Sequence, residues 1–276
     1  PARGWLACAA LACACGSEPA RPAPTGLPAH HAYLDLAAAL AAIIPGDARV
    51  IGVGELHARA DRPPVVSALR RFTAALPALG AHVSDLVLET WVATPACGTV
   101  AVEATHAIEV EVRRPPTTRS ELAQLTDAAR AAGVQPHAMT LTCADYAAIA
   151  PGGAADPVAM LGVVTRELTR ITTSAIRHRD REPGHRPWIA VYGGALHNDR
   201  FPDAGVAEWS YAAELDRQTG GRFIEIDLIA PELAAADPGS RRQPWFPLAA
   251  TAPAPAAPVR VWTRGERSFV VVLPPS

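Results

Sequence analysis

Hydrophobic positions follow two kinds of spacing along this chain, and each change of spacing marks an element. From His31 to Ile44, Leu34, Leu36, Leu40, Ile43 and Ile44 recur at helical intervals, and Pro45-Gly46 stops the helix. Arg49 to Gly54 is an unbroken apolar run, the pattern of a strand buried on both faces of a helix-covered sheet. Past Ala58 to Pro64, a helix from Val65 to about Leu79 places Val66, Leu69, Phe72 and Leu76 on one face, and Asp85 to Glu89 is a second strand. Val100 to Val112 alternates strictly. Val100, Val102, Ala104, His106, Ile108, Val110 and Val112 share one face and Glu103, Thr105, Glu109 and Glu111 the other, which predicts a half-exposed strand or hairpin with His106 on its apolar side.

Further along, Thr118-Arg119-Ser120-Glu121 reads as a capping box opening a helix to Ala132, closed by Gly133. Gln135 to Cys143 reads as a strand, with Asp145 as the next N-cap. Asp156-Pro157 starts a helix to about Arg179 with proline in its favoured first turn, and the basic stretch Arg177 to Arg186 reads as a solvated loop. Trp188 to Leu196 and Phe223 to Ile229 are strands, separated by a helix from about Glu208 to Gln218 that Gly220-Gly221 ends. Val259 to Trp262 and Ser268 to Leu273 flank Arg264-Gly265 as a terminal hairpin. Strands alternating with helices predict one α/β domain over residues 30–276, with a central, mostly parallel sheet, helices on both faces and a C-terminal β-hairpin.

Composition narrows the chemistry. The chain has 276 residues, 49% hydrophobic, with a net charge of −2, so it has the material for one large core and no general affinity for nucleic acid. It contains no lysine, which removes that residue from the catalytic candidates. Residues 1–16 carry an uncharged run from Trp5 to Cys15 behind Arg3, too short for a stable span. With the Pro-rich tether of residues 17–29, they resemble a bacterial lipoprotein signal with Cys15 as the best-placed lipidated residue and Cys13 fitting nearly as well. The expectation is an exported protein, anchored by lipid at the periplasmic face of a bacterial membrane. In an oxidising compartment Cys97 and Cys143 can pair; two free buried thiols fit the sequence equally well.

Ligands of helix-covered parallel sheets bind outside the carboxyl ends of the strands. Glu55, His57, Glu89, His197 and Asp199 all fall at such ends. Glu55 and Glu89 with the two imidazoles can work as paired acids and bases or hold a divalent transition metal. Arg59 and Arg62 are placed to hold an anionic group of a substrate. Gly52-x-Gly54 is no dinucleotide fingerprint, because position six is His57 and no helix opens there. No Gly-x-Ser-x-Gly elbow, His-Glu-x-x-His pair or phosphate loop occurs.

At Gly54-Glu55-Leu56-His57, at Leu88-Glu89 and at Gly194-Ala195-Leu196-His197 the chain resembles a superfamily. It unites erythromycin esterases, ChaN-like haem-uptake lipoproteins and Tiki/TraB-type metallohydrolases, and the resemblance is closest to the exported ChaN-like lipoproteins. The resemblance implies Glu55, His57, Glu89 and His197 lining one cleft. They would activate water directly, as in the esterase-type members, or hold a divalent metal, as in the Tiki-type members. The ChaN-like members imply haem as the alternative cofactor, for which Tyr192 and His197 are the axial candidates. A small-molecule or peptide substrate is expected, with Arg59, Arg62, Tyr192 and Asp199 around it.

Overall fold

The computed structural model describes residues 26–62 and 64–276, so the signal segment, most of the tether and Cys15 lie outside the described residues. The strands are β1 (His31–Tyr33), β2 (Val50–Glu55), β3 (Val83–Trp91), β4 (Gln135–Met139), β5 (Trp188–Gly194), β6 (Phe223–Ile229), β7 (Val259–Gly265) and β8 (Ser268–Val272). They form one eight-stranded sheet in the order β1-β7-β8-β6-β2-β5-β3-β4. From β8 to β4 neighbouring strands are parallel; β7 runs antiparallel to both β8 and β1, which makes β7 and β8 the expected C-terminal hairpin. β2 lies between β6 and β5, and all six of its residues are buried, as an unbroken apolar run requires.

Helices cover both faces. α1 (Leu36–Ile43), α2 (Ala68–Leu79) and α4 (Thr118–Ala131) pack on the face that carries Ile51, Val53, Leu86 and Leu88. α3 (Gly98–Val112), α5 (Cys143–Ile149), α6 (Pro157–Arg179) and α7 (Ala212–Thr219) pack on the face that carries Val50, Val87, Ile189 and Val191. α8 (Pro231–Ala236) and α9 (Phe246–Ala250) close a small satellite core over Val270 and Val272. Among the described residues no helix is long and apolar enough to cross a membrane.

Several elements correct the sequence reading. Residues 100–112 form a helix, not a strand. The buried positions of α3 are Ala101, Ala104 and Ile108, a narrow stripe at helical spacing, while Val100, Val102 and Val110 are exposed. The alternating valines concealed that stripe of small residues, and His106 is exposed rather than on an apolar face. His31–Tyr33 leaves the expected first helix to pair with β7, and Asp35 caps α1 by accepting from the Ala38 amide. α2 starts later than expected, at Ala68, behind the N-cap Ser67. Thr118 is no cap, because Thr117 precedes α4 without a side-chain bond and Glu121 instead accepts the Ser67 hydroxyl at 2.7 Å. β4 stops at Met139, and Thr142, not Asp145, caps α5; Asp145 answers from the third position of a capping box. The helix expected from Glu208 begins only at Ala212. Arg179 is not in a solvated loop: it ends α6 on the buried Asp85 at 2.7 Å, and Asp85 also accepts from His137.

Cys97 and Cys143 form a disulfide across a sequence separation of 46, tying the residue before α3 to the first residue of α5.

The carboxyl end of β2 has no room for a side chain at Gly54. A Cβ there would lie 2.6 Å from Ala195 Cα and 2.7 Å from Asp227 Oδ1. Gly54→Ala is expected to lower unfolding free energy by about 1–3 kcal/mol through overpacking. A chemical-denaturation midpoint equal to the parent's would contradict this.

Candidate active site

Parallel strands deliver their carboxyl ends to one edge of the sheet, and there β2, β3 and β5 bring together the acids and the imidazole that the sequence placed at strand ends. Glu55 closes β2 and is buried. Three donors hold its carboxylate. His57 Nδ1 lies 2.7 Å from Oε1, and the Tyr192 hydroxyl and the Leu69 amide donate to Oε2 at 2.7 and 3.1 Å. Leu69 is in the first turn of α2, so the helix end contributes an amide and a favourable dipole. Tyr192 is held in turn by Phe72, whose ring stacks on it at 5.0 Å between centroids.

Glu89 reaches the same place from β3. Its Oε2 accepts the Gly194 amide at 2.5 Å, and its Oε1 lies 3.6 Å from His57 Nε2. Gly193 makes this possible: a Cβ there would lie 3.0 Å from Glu89 Cβ. His57 therefore sits between two carboxylates, with its side chain 28% exposed.

The fourth member is Arg114, which sequence reasoning missed. Its Nη1 lies 3.7 Å from Glu55 Oε1 and its Nη2 3.6 Å from Glu89 Oε1. α3 ends at Arg113 in the left-handed conformation, and the chain then turns Arg114 towards the strand ends. The one available signal was Pro115-Pro116, since a residue before proline is held out of the helix. That signal locates the turn but not the direction of the guanidinium.

The charges set one another. Burial would raise the Glu55 carboxyl, but the hydrogen bond and charge of His57, with Arg114 and Tyr192, hold it below the ordinary range. Burial likewise opposes ionisation of Glu89, and His57, His197 and Arg114 overcome it. Burial and Arg114 press the His57 imidazole down, yet the Glu89 charge and the hydrogen bond to Glu55 leave it above its usual value. Tyr192, buried beside the Glu55 carboxylate, is pushed well above the phenol range and stays a donor.

The remaining expected site residues are placed differently. His197 is buried, its Nδ1 2.9 Å from both Thr165 Oγ1 and the Trp209 carbonyl oxygen. It supports the turn after β5, and its charge is felt at Glu89. Asp199 lies apart from the site, bonded to Arg264 at 2.7 Å in a group with Glu225. Arg62 donates to the Ala236 carbonyl oxygen. Arg59 forms a forked pair with Asp61, both bonds 2.9 Å, and unlike these it keeps its place beside the site, in the wall of a cavity that Glu55 and Arg114 also line.

The donor set does not fit a metal in this arrangement. Both nitrogens of His57 face carboxylates, His197 Nδ1 is engaged away from them, and the guanidinium of Arg114 already lies within 4 Å of both acids as their cation. Among the described residues no group of three or more His, Cys, Asp or Glu side chains is disposed to hold a metal ion. Nor do Tyr192 and His197 fit as haem ligands, since the Tyr192 hydroxyl is committed to Glu55 and His197 is 3% exposed.

Two cavities meet at these residues. The larger, about 960 Å³, has His57 and Glu89 in its wall with Trp91, Val102, Ile108 and Met160. The smaller, about 330 Å³, lies between α2 and the start of α4, and both are lined by Glu55 and Arg114.

No family model and no curated protein matches the sequence. Among solved structures, that of the type III effector HopBA1 is similar at 14% identity, with a TM-score of 0.41, covering 83% of this chain and 88% of that one.

Proposed function

We propose that this chain is a hydrolase in which His57 activates water against an ester or amide carbonyl of a small-molecule or peptide substrate. The observation that carries the reading is the state of His57: one nitrogen is fixed by Glu55 at 2.7 Å and the ring opens on a large cavity beside Glu89 and Arg114. A carboxylate bonded at Nδ1 selects the tautomer that leaves Nε2 as the base. In the proposed reaction water attacks the carbonyl carbon and passes its proton to Nε2. The Glu55 carboxylate stabilises the imidazolium, and the Arg114 guanidinium stabilises the oxyanion. When the tetrahedral intermediate collapses, Nε2–H returns the proton to the leaving oxygen or nitrogen. Glu89 orients the attacking water from the opposite side; its 3.6 Å gap to Nε2 is too long for a direct hydrogen bond.

The test is a panel of chromogenic esters and peptide amides, run on the parent and on Glu55→Gln. Hydrolysis that is insensitive to chelators and lost in the variant supports the reading. A silent panel, or activity restored only by an added divalent metal, sinks it. Haemin titration is expected to give no saturable Soret shift.

The pH profile follows from the charges. With its pKa raised, His57 must lose its proton before it can act, so the acid limb of kcat/KM is expected above about 6.5, the ordinary imidazole value. Glu89→Gln removes a charge that raises that pKa, so the limb is expected to move to lower pH. A limb that stays in place or rises would contradict the assignment of His57 as base.

Export and lipidation at Cys15 belong to the same proposal. The Cys97–Cys143 disulfide supports an oxidising compartment.

A further inference from the structure

The smaller cavity is lined by Arg59, Arg70 and Arg114, with Glu55, Thr118 and Glu121. Arg70, on the first turn of α2, is exposed and has no carboxylate within salt-bridge distance among the described residues. Arg114 approaches its two acids only at 3.6 and 3.7 Å, longer than a hydrogen bond, so its donors are not saturated. Arg59 is neutralised in part by Asp61, and one Glu121 oxygen is occupied by the Ser67 hydroxyl. With Asp61 set against Arg59, and with Glu55 and Glu89 both near Arg114, Arg70 is the guanidinium of this lining that has no carboxylate partner among the described residues. The two cavities share Glu55, Leu69, Arg114, Pro115 and Thr118, so a bound molecule can extend from one into the other past His57.

We propose that the smaller cavity is a subsite for a carboxylate of the substrate, which is therefore an ester or amide with an apolar group at one end and a single negative charge at the other. The inference rests on the hydrolytic reading for the scissile bond, while the subsite itself rests on Arg70 and Arg114. A guanidinium presents paired N–H groups that match the two oxygens of a carboxylate. One guanidinium without a carboxylate partner favours a monoanion over a phosphate dianion, which Glu55 and Glu121 would repel. The large cavity, with Trp91, Val102, Ile108 and Met160 in its wall, takes the apolar end. The scissile carbonyl then lies at the junction, between His57 and Arg114.

Binding and turnover of two probes separate the subsite from the chemistry. Monobenzyl succinate carries the carboxylate; benzyl butyrate is its uncharged counterpart. Calorimetry on the parent chain is expected to show monobenzyl succinate binding at least about tenfold tighter, with the preference lost in Arg70→Gln and kept in Arg217→Gln, an exposed arginine on α7. Equal binding of the two probes, binding of neither, or a preference that survives Arg70→Gln overturns the subsite. Monobenzyl phosphate binding tighter than monobenzyl succinate overturns the assignment to a carboxylate. If the preference is present and neither ester is ever cleaved, the subsite stands and the hydrolytic reading falls; cleavage of both without preference does the reverse.

Discussion

His57→Gln is expected to lower kcat by about 10²–10⁴-fold, the range contributed by a positioned general base, with the fold retained. The imidazole is held on one nitrogen by Glu55 and is able to take a proton on the other. Glutamine keeps a polar side chain between Glu55 and Glu89, so their charges are not left facing each other, but it cannot accept the proton. The same substitution changes how stability depends on pH. His57 binds its proton more tightly in the folded state than in the unfolded one. That proton adds stability which is fully present below about 6.5 and is lost as the pH rises through the folded-state value. His57→Gln is therefore expected to flatten the fall in stability above neutral pH and to remove activity at every pH. Turnover within threefold of the parent, on a protein with an unchanged circular-dichroism spectrum, would show that another group is the base.

Removing the disulfide by Cys97→Ser with Cys143→Ser is expected to cost about 4 kcal/mol, the chain-entropy value for closing a loop of this length. For a domain of this size that corresponds to a fall in Tm of roughly 10 °C. The loss should concentrate in α3. Only Ala101, Ala104 and Ile108 of that helix are buried, so little apolar area holds it to the rest of the fold. Its far end leads directly to Arg114, so loosening α3 should also raise KM for any cleaved ester. Thermal unfolding of the parent with and without reductant gives the same comparison without substitution. A Tm change under about 2 °C in both experiments would mean that the crosslink constrains nothing in the folded chain.

Much of the fold could be read in the residue pattern because the central strands are buried on both faces. β2 and β5 are apolar runs that no exposed element could carry, and their glycine-marked ends pointed to the edge where Glu55, His57 and Glu89 meet. α3 was misread because its buried stripe consists mostly of alanines set among alternating valines and glutamates, which a hydrophobicity count cannot tell from a half-exposed strand. Asp199 and Arg62 were expected at the site because strand-end position says nothing about side-chain direction. One turns to Arg264, the other to the Ala236 carbonyl oxygen.

What the sequence by itself determined is the covalent order of the site: a carboxylate and an imidazole two residues apart after a buried strand, and a second carboxylate at the end of another. Strand periodicity and glycine placement are local properties, so they survive without knowledge of the fold. What only the tertiary structure decided is the company these groups keep. Arg114 lies 59 residues from Glu55 in the chain and reaches it because α3, anchored by a disulfide, ends beside the strand ends. That one guanidinium lies within 4 Å of both acids, bears on the pKa of His57 and Glu89, and lines both cavities. Contacts of this kind arise from packing between distant segments, and no local pattern encodes them.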